Sequence, residues 1–195
     1  MEKLKNSPSV LLEKVGVSVI EMEYLVRVFA WLCSHDTKKP SKFAKCMSAS
    51  DISKALIHLG YKQKMSECKL YIWEVDENLD GYCDWKEFIK SYKRAAAMKK
   101  LENPKCLVPR RLFNMTMFLM YDSYDFSGEV TVEETLQLLF VRNGREKLDR
   151  EIKALFGKDH NRNDGSECAI DYPTFCERLQ DRSIKEHLEY LEFMR

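Results

Sequence analysis

The sequence predicts an all-α protein in which helix–loop–helix units form two pairs, with very short strands inside each pair. The 195 residues include only 7 Gly and 5 Pro, which are too few for a turn-rich β protein. Apolar residues recur at helical spacing, as in the stripe from Ile20 to Leu32. An acidic twelve-residue loop with glycine at its sixth position, residues 76–87, separates two further amphipathic stretches. These observations favour helices joined by specialised loops.

The loop at residues 76–87 places oxygen atoms at the spacing that a hard cation requires. Gly81 at position 6 allows the sharp turn that a side chain would resist. The candidate ligands, at positions 1, 3, 5, 7, 9 and 12, are Asp76, Asn78, Asp80, Tyr82 through its backbone carbonyl, Asp84 and Glu87. Ca²⁺ takes six to eight such oxygens in a flexible shell. The loop therefore predicts a calcium site, with Mg²⁺ as the alternative occupant at rest.

This loop and its flanks resemble the EF-hand superfamily, and the chain over about residues 20–180 is similar to calmodulin and centrin. An amphipathic helix is expected on each side of the loop, with apolar faces formed by Leu70, Trp73 and Val75 before it and by Phe88, Ile89 and Tyr92 after it. The resemblance implies four hands in two lobes. On this resemblance the chain consists of an N-terminal extension (1–19), an N-terminal EF-hand pair (20–92), a basic linker (93–106), a C-terminal EF-hand pair (107–180) and a C-terminal helix (181–195).

The third hand resembles the second, but its loop is partly degenerate. Counting back from Gly128 at position 6 puts Ser123 at position 1, whereas counting forward from Phe118 puts Asp122 there. Both hold only if the loop carries thirteen residues, one more than the usual twelve. The weaker second metal site predicted here consists of Asp122, Ser123, Asp125, Ser127, Glu129 and Glu134.

The first hand resembles an EF-hand in shape and not in chemistry. The resemblance puts Met47 at position 8 and Asp51 at position 12 of a loop that is too long, basic and nearly free of ligands. Such a hand is expected to serve by pairing with its neighbour. Met47 should therefore lie opposite Cys83 in the short strand that couples two hands.

The fourth loop, residues 159–171, is polar and turn-rich but about four residues too long for the pattern. Thr174 stands where the resemblance places the bidentate glutamate, which makes metal binding the less favoured outcome. The remaining candidate ligands are Asp159, Asp164 and Asp171. We expect this hand to close the second lobe by pairing Ile170 with Val130.

The linker between the lobes is markedly basic, although the whole chain has a formal charge of +1. A free regulator that grips basic helices would be strongly acidic, so the near-neutral charge favours a partner with an acidic or mixed surface. The candidate partner-binding residues are Lys93, Arg94, Lys99, Lys100, Arg110 and Arg111. An acidic surface such as tubulin or anionic lipid would suit them, and a solvated linker is the alternative.

Several classes of protein are disfavoured. No run of eighteen apolar residues exists, so no transmembrane segment is expected, and the start of the chain lacks the apolar core of a signal peptide. Seven Cys without a CxxC pair favour reduced thiols in the cytoplasm. The four His are scattered, and neither a phosphate-binding glycine loop nor a nucleophile motif occurs, so we do not expect an enzyme. No nucleic-acid recognition module is visible.

Two functions remain open. The first is a calcium-binding EF-hand adaptor or regulatory subunit, with loop 76–87 as its calcium sensor, docked on a larger protein assembly. The second is a constitutive structural protein of a microtubule or axonemal assembly, with little calcium regulation. The eroded loops resemble the divergent EF-hand proteins of cilia and flagella, an analogy that implies a cytoskeletal location and axonemal protein partners.

Overall fold

The computed structural model describes residues 17–100, 111–157 and 168–180, and these are mostly helical. The helices are α1 (Val19–Cys33), α2 (Ala49–His58), α3 (Met65–Trp73), α4 (Trp85–Lys100), α5 (Arg111–Tyr121), α6 (Val132–Asn143), α7 (Arg145–Phe156) and α8 (172–180). A 3-10 turn lies at Ser41–Phe43, and strands β1 (Glu129–Thr131) and β2 (Ala169–Asp171) are antiparallel. The expected all-helical character is confirmed. The predicted extension up to residue 16, the C-terminal helix at 181–195 and most of the fourth loop lie outside the described residues.

The chain divides into two compact units. The first unit runs through Ala55 and resumes over Gln63–Thr116. The second takes Leu56–Lys62 and continues from Met117. The sequence did not indicate that Leu56–Lys62, which contains the last residues of α2 and the turn after it, belongs with the C-terminal half. Within the described residues, no helix is long and apolar enough to cross a membrane.

In the first unit, the loops after α1 and α3 are joined by a single antiparallel bridge. The N–H groups of Met47 and Cys83 each donate to the other residue's carbonyl oxygen, both at 2.9 Å. Both side chains are fully buried. The predicted pairing of Met47 with Cys83 is confirmed, and it fixes the two loops side by side.

In the second unit, the same role falls to the two-stranded sheet. Val130 lies opposite Ile170, and the flanking pairs of the ladder join β1 residues 129 and 131 to β2 residues 171 and 169. Val130 and Ile170 are buried. The predicted pairing of these two residues is confirmed as well.

Local sequence determines where these helices begin. The hydroxyl of Ser18 accepts from the Glu21 N–H while the Glu21 carboxylate accepts from the Ser18 N–H, which is a capping box at the start of α1. Ser48 caps α2 in the same way, because its hydroxyl accepts from the Asp51 N–H at 3.1 Å. Each cap satisfies a backbone donor that the first helical turn leaves unpaired.

Aromatic clusters form the centre of each unit. In the first, Phe29 of α1 contacts Trp85 and Phe88 of α4, with ring centroids 5.3 and 5.0 Å apart. In the second, Phe118 of α5 contacts Phe175 of α8 at 5.4 Å. Phe88, Phe118 and Phe175 are almost completely buried, so each cluster ties the helix that enters a loop to one that leaves a loop.

The expected apolar face before the second loop is wrong for two of its three residues, although Val75 is buried. Trp73 is 70% exposed and Leu70 is 39% exposed. The helix instead buries Cys68, Tyr71 and Ile72, which lie at the i, i+3, i+4 spacing of one helical face. Two apolar faces compete on this short helix, and tertiary packing selects the one that the sequence pattern did not favour.

The contribution of a buried hydroxyl group to stability can be tested at Thr116 of α5, the helix that leads into the third loop. Its side chain is 1% exposed, and among the described buried atoms its hydroxyl oxygen has no hydrogen-bond partner. Thr116→Val keeps the shape and removes a buried polar group, so we expect the free energy of unfolding to rise by about 1 kcal/mol. Urea denaturation monitored by circular dichroism measures this change.

The matched control is Thr135→Val. Thr135 is equally buried, but its hydroxyl donates to the Val132 carbonyl at 2.7 Å. Losing this bond should lower the free energy of unfolding by about 1 kcal/mol. If both variants shifted stability in the same direction, the assignment of Thr116 as an unsatisfied group would be wrong.

Candidate metal centre

The second loop, between α3 and α4, is folded around its own acidic side chains. The carboxylate of Asp76 accepts from the Gly81 N–H at 2.8 Å. The Asn78 side-chain oxygen accepts from the Asp80 N–H, and the Asp80 carboxylate accepts from the Tyr82 N–H, both at 2.9 Å. The oxygens of the first three predicted ligands are thereby held in place by loop amides.

Glu87 joins the start of α4 to the rest of this loop. Its Oε1 accepts from the N–H groups of Glu77 at 3.0 Å and Asn78 at 3.3 Å, and its Oε2 accepts from the Asp84 N–H at 2.9 Å. Asp84 Oδ1 accepts in turn from the Glu87 N–H at 2.9 Å. Glu87 and Asp76 are both buried. The first and last predicted ligands therefore already lie at the inner side of one closed loop.

The backbone of the second loop enters the left-handed region twice. Leu79 has a φ of 59° and Gly81 a φ of 83°. Glycine adopts this conformation without cost, whereas a leucine there stores about 1–2 kcal/mol of strain. Leu79 is exposed, and its left-handed conformation turns the loop beside the acidic side chains. The backbone strain is therefore a cost of the shape of the loop.

The donor set fits a hard cation. Four carboxylates, one amide oxygen and the Tyr82 carbonyl are all oxygens, the ligands that Ca²⁺ and Mg²⁺ prefer. The one sulfur in the loop belongs to Cys83, which is fully buried, and burial raises the pKa of its thiol. A metal that selects thiolate ligands therefore finds none in this loop.

Glu77, the second residue of the loop, is engaged elsewhere. Its carboxylate lies 2.6 Å from Lys90 Nζ and 3.4 Å from an Arg94 nitrogen, both on α4. The loop's fifth carboxylate therefore faces outward, toward two basic side chains of the following helix. Glu77 is thus an acidic residue that opposes part of the basic stretch, and the sequence gave no signal for this contact.

The third loop, between α5 and α6, repeats this hydrogen-bond pattern. The Asp122 carboxylate accepts from the Gly128 N–H at 3.0 Å, as Asp76 does from Gly81. Further along, the Asp125 carboxylate accepts from the Ser127 N–H at 3.1 Å. At the end of the loop, Glu134 Oε2 accepts from the Thr131 N–H at 2.8 Å, and Thr131 Oγ1 accepts from the Glu134 N–H at 3.3 Å. Asp122, Asp125 and Glu134 thus correspond to Asp76, Asn78 and Glu87.

The extra residue of the third loop falls directly after Asp122. Phe126 has a φ of 54° and Gly128 a φ of 89°, matching the two left-handed residues of the second loop, so the register is restored before them. Ser123 is buried and its hydroxyl donates to the Met120 carbonyl at 3.0 Å, while Tyr124 is 89% exposed. Of the two registers open to the sequence, the geometry supports Asp122 at the first position.

An open polar cavity of about 370 Å³ lies against the third loop. Carboxyl groups on its lining belong to Asp125, Glu129, Glu133 and Glu134. Glu129 occupies the place of Tyr82, and its carbonyl accepts from the Ser127 hydroxyl at 2.9 Å. With three carboxylates in place of four at the ligand positions, this loop offers a cation less charge than the second loop does.

The first loop, between α1 and α2, has the hydrogen bond that ends the pattern, but it has a lysine side chain at its centre. Asp51 Oδ2 accepts from the Ser48 N–H at 2.8 Å, as Glu87 does from Asp84. Lys39 Nζ lies 2.8 Å from the same Asp51 oxygen, in a buried ion pair. The sequence indicated a basic loop with few ligands, and it gave no sign that one of these lysines points inward.

The end of the fourth loop also follows the pattern. Asp171 Oδ1 accepts from the Thr174 N–H at 2.9 Å, and hydrogen bonds from Thr174 hold the pKa of Asp171 below its usual range. Thr174 therefore stands at the position of Glu87, as the sequence indicated. A single hydroxyl cannot replace a bidentate carboxylate. The other candidates, Asp159 and Asp164, lie outside the described residues.

Within residues 17–100, 111–157 and 168–180, no three His, Cys, Asp or Glu side chains are clustered as a ready-made metal site. The carboxylates of the second and third loops bond loop amides in the arrangement described above.

The predicted partner-binding residues are only partly described. Lys93 and Arg94 are half-buried on α4, and Arg111 is exposed at the start of α5. The side chains of Lys99 and Lys100, together with Arg110, lie outside the described part of the chain. Arg94 contacts Glu77, so one member of the basic set is paired within the protein.

No model of a known protein family matches this chain, and no curated protein sequence gives a significant match to it. The chemistry of the loops therefore carries the functional assignment.

Sequence reasoning missed two contacts that shape these loops. The rings of Phe43 and Tyr82 stack in parallel at 4.0 Å, which ties the first loop to the second. His58 Nε2 lies 2.7 Å from the Phe126 carbonyl, at the left-handed residue of the third loop. Both contacts join residues that are far apart in the chain, so periodicity and spacing gave no signal for them.

Asp122 supports a prediction about pH. Burial raises the pKa of Asp122 to about 6, against hydrogen bonds from Gly128 and Ser127 that lower it. Between the ordinary value and about 6, the folded protein holds a proton that the unfolded chain releases, so stability falls as pH rises through this window. We expect Asp122→Asn to flatten that fall, measured by urea denaturation between pH 4 and 7 in EDTA.

Glu133→Gln, at an exposed carboxylate of the same loop, is the control and should keep the slope of the unaltered protein. An unchanged slope in Asp122→Asn would show that Asp122 is not the group that titrates.

Proposed function

We propose that this protein is a calcium-binding EF-hand adaptor with two pairs of hands, which docks on a larger protein assembly. One observation carries the proposal: the hydrogen bonds that the Gly81 N–H donates to Asp76 and the Asp84 N–H donates to Glu87 recur at Asp122 and Glu134 in the third loop. Loops that repeat this frame with oxygen ligands suit Ca²⁺, with Mg²⁺ as the resting competitor.

Within the second loop, the proposed binding groups are Asp76, Asn78, Asp80, Asp84 and Glu87, with the Tyr82 carbonyl. The bound ion would supply a concentrated positive charge that satisfies these carboxylates together. Glu87 is the residue that transmits binding, because its backbone belongs to α4 while its carboxylate reaches the start of the loop. Tightening of Glu87 would reorient α4 relative to α3.

The third loop is proposed as a second, weaker site. It keeps Asp122, Asp125 and Glu134, but its extra residue lengthens the path between the first two of these ligands. Fewer charged ligands and a longer loop both lower affinity for Ca²⁺. Occupancy in the cell should therefore begin at the second loop.

The docking surface is proposed to include the basic side chains of α4. This helix starts inside the second loop and carries Lys93 and Arg94 onward. A shift of α4 on calcium binding would move these cations as a group. An acidic protein surface, such as that of tubulin in a ciliary or flagellar axoneme, is the partner that fits this charge.

A second candidate is a constitutive structural protein of a microtubule or axonemal assembly with little calcium response. Thr174 in place of a bidentate glutamate favours it, as does the Lys39–Asp51 ion pair in the first loop. Two loops that keep the end of the frame without a bidentate glutamate suit a scaffold. The two candidates differ in whether calcium changes the conformation of α4.

Calorimetric titration with Ca²⁺ in millimolar Mg²⁺ tests the first candidate. We expect one tight event, in the range of about 10⁻⁷ to 10⁻⁵ M, and a second, weaker one. Glu87→Gln should abolish the tight event, and Asp122→Asn the weak one. Trp85, which packs on Phe29 beside the loop, should report the tight event by its emission.

Trp73→Phe removes the emission of the exposed tryptophan and is the background for this experiment. Glu77→Gln is the matched control, because Glu77 is in the same loop but faces Lys90. Calcium binding that is unchanged in Glu87→Gln, or absent from the unaltered protein, would contradict the sensor role and favour the structural candidate.

Co-sedimentation with microtubules at physiological salt tests the docking surface. We expect the protein to pellet, and Lys93→Glu combined with Arg111→Glu to lower the bound fraction several-fold, because the charge facing the acidic surface reverses. Lys62→Glu combined with Lys69→Glu changes the net charge equally on another exposed segment and should bind as before. Failure to pellet, with and without calcium, would exclude a microtubule partner.

A further inference from the structure

The ammonium group of Lys39 occupies the middle of the first loop. Its Nζ donates to the carbonyl oxygens of Cys33 and Cys46, both at 2.7 Å, and to Asp51 Oδ2 at 2.8 Å. These three bonds use all the donors that an ammonium has. The Lys39 side chain is 4% exposed and that of Asp51 is 0% exposed. A lysine is this deeply buried only when its charge is compensated.

The acceptors of Lys39 correspond to cation ligands of the second loop. Cys46 directly precedes Met47, and Tyr82 directly precedes Cys83. Since Met47 and Cys83 pair with each other, the Cys46 carbonyl is the equivalent of the Tyr82 carbonyl.

The carboxylate acceptor follows the same correspondence. Asp51 Oδ2 accepts from the Ser48 N–H as Glu87 Oε2 accepts from the Asp84 N–H. Asp51 Oδ1 also accepts from the Asp36 N–H at 2.6 Å, as Glu87 Oε1 accepts from the Glu77 N–H at the start of the second loop. Asp51 therefore occupies the place of the twelfth ligand. Lys39 donates to the equivalents of two ligands at once.

We propose that the ammonium of Lys39 is the resident cation of the first loop. It supplies from within the chain the positive charge that Asp51 and the two carbonyls would otherwise require from a bound ion. A compact ammonium with three donors matches one carboxylate and two carbonyls. The first hand is therefore held permanently in one state and excludes divalent cations.

The surrounding charges are consistent with this role. Asp36, the other carboxylate near the loop, lies 3.8 Å from Lys54 Nζ and bonds the Ser48 hydroxyl at 3.3 Å. The Lys39–Asp51 pair is thus locally neutral, and Asp36 has its own cationic neighbour. A divalent ion could enter the loop only by displacing Lys39, which would break the three hydrogen bonds that its ammonium group donates.

One consequence rests on the proposed function. Lys39 anchors the carbonyl of Cys46, the residue directly before Met47. Met47 pairs with Cys83, which directly follows Tyr82 in the second loop. The second loop is thereby organised against a neighbour whose state does not vary with calcium. Of this pair of hands, the second alone would respond to the ion.

Lys39→Met tests the cation role, because methionine keeps much of the side-chain volume and removes the charge. In EDTA, we expect its thermal midpoint to fall by about 10 °C or more, since Asp51 is left buried and unpaired. Lys38→Met, at the exposed neighbouring lysine, should stay within about 2 °C of the unaltered protein, the usual range for a surface change. Because no calcium is present, the result is independent of whether the second loop binds the ion.

The double variant Lys39→Met with Asp51→Asn separates a charge interaction from simple packing. Removing both charges should cost clearly less than the sum of the two single losses, because no unpaired carboxylate remains. Additive losses, or a Lys39→Met variant as stable as Lys38→Met, would overturn the proposal.

A measurement on the unaltered protein covers the case in which Lys39→Met fails to fold. Nitrogen-15 NMR at neutral pH should show a slowly exchanging lysine ammonium with a coupling to the Asp51 carboxylate carbon, and Lys38→Met should retain it. If every lysine ammonium of the unaltered protein exchanged too fast to be observed, the assignment of Lys39 as the resident cation would be wrong.

Discussion

The pairing of loops across a short antiparallel contact is the constraint on which the rest of each unit depends. Met47 with Cys83, and Val130 with Ile170, bury the central side chains and place two loops back to back. Each contact is too short to be stable alone, so the aromatic packing of the surrounding helices must hold it. A loop that lost its own ligands would still be required, because its partner needs the other half of the contact.

The second and third loops share a hydrogen-bond frame, of which the first loop keeps the end, and these three loops differ in what lies inside it. The frame is made mostly of backbone amides, which every residue other than proline supplies, so side chains can change while the shape persists. The second loop presents four carboxylates at its ligand positions, the third presents three, and the first contains the ammonium of Lys39. The charge inside the frame decides whether a loop can take a cation from solution.

The second loop overlaps with the basic helix that follows it. Helix α4 begins at Trp85, within the loop, and its Lys90 and Arg94 contact Glu77 on the loop's outer side. These ion pairs are partly exposed, so each contributes little to stability. The position of these ion pairs matters more than their energy. A change in the angle of α4 would alter the exposure of the basic side chains that follow on this helix.

The sequence by itself determined the spacing of the candidate ligands at 76–87 and the pairing of Met47 with Cys83, because the first depends on neighbours within one loop and the second on a fixed register. Only the tertiary structure decided that Trp73 faces solvent, that the extra residue of the third loop follows Asp122, and that Lys39 turns inward. These outcomes depend on contacts between distant residues, such as Lys39 with Asp51, whose energies do not appear in local spacing. A lysine in a polar loop has the same sequence pattern whether water or a buried carboxylate compensates its charge.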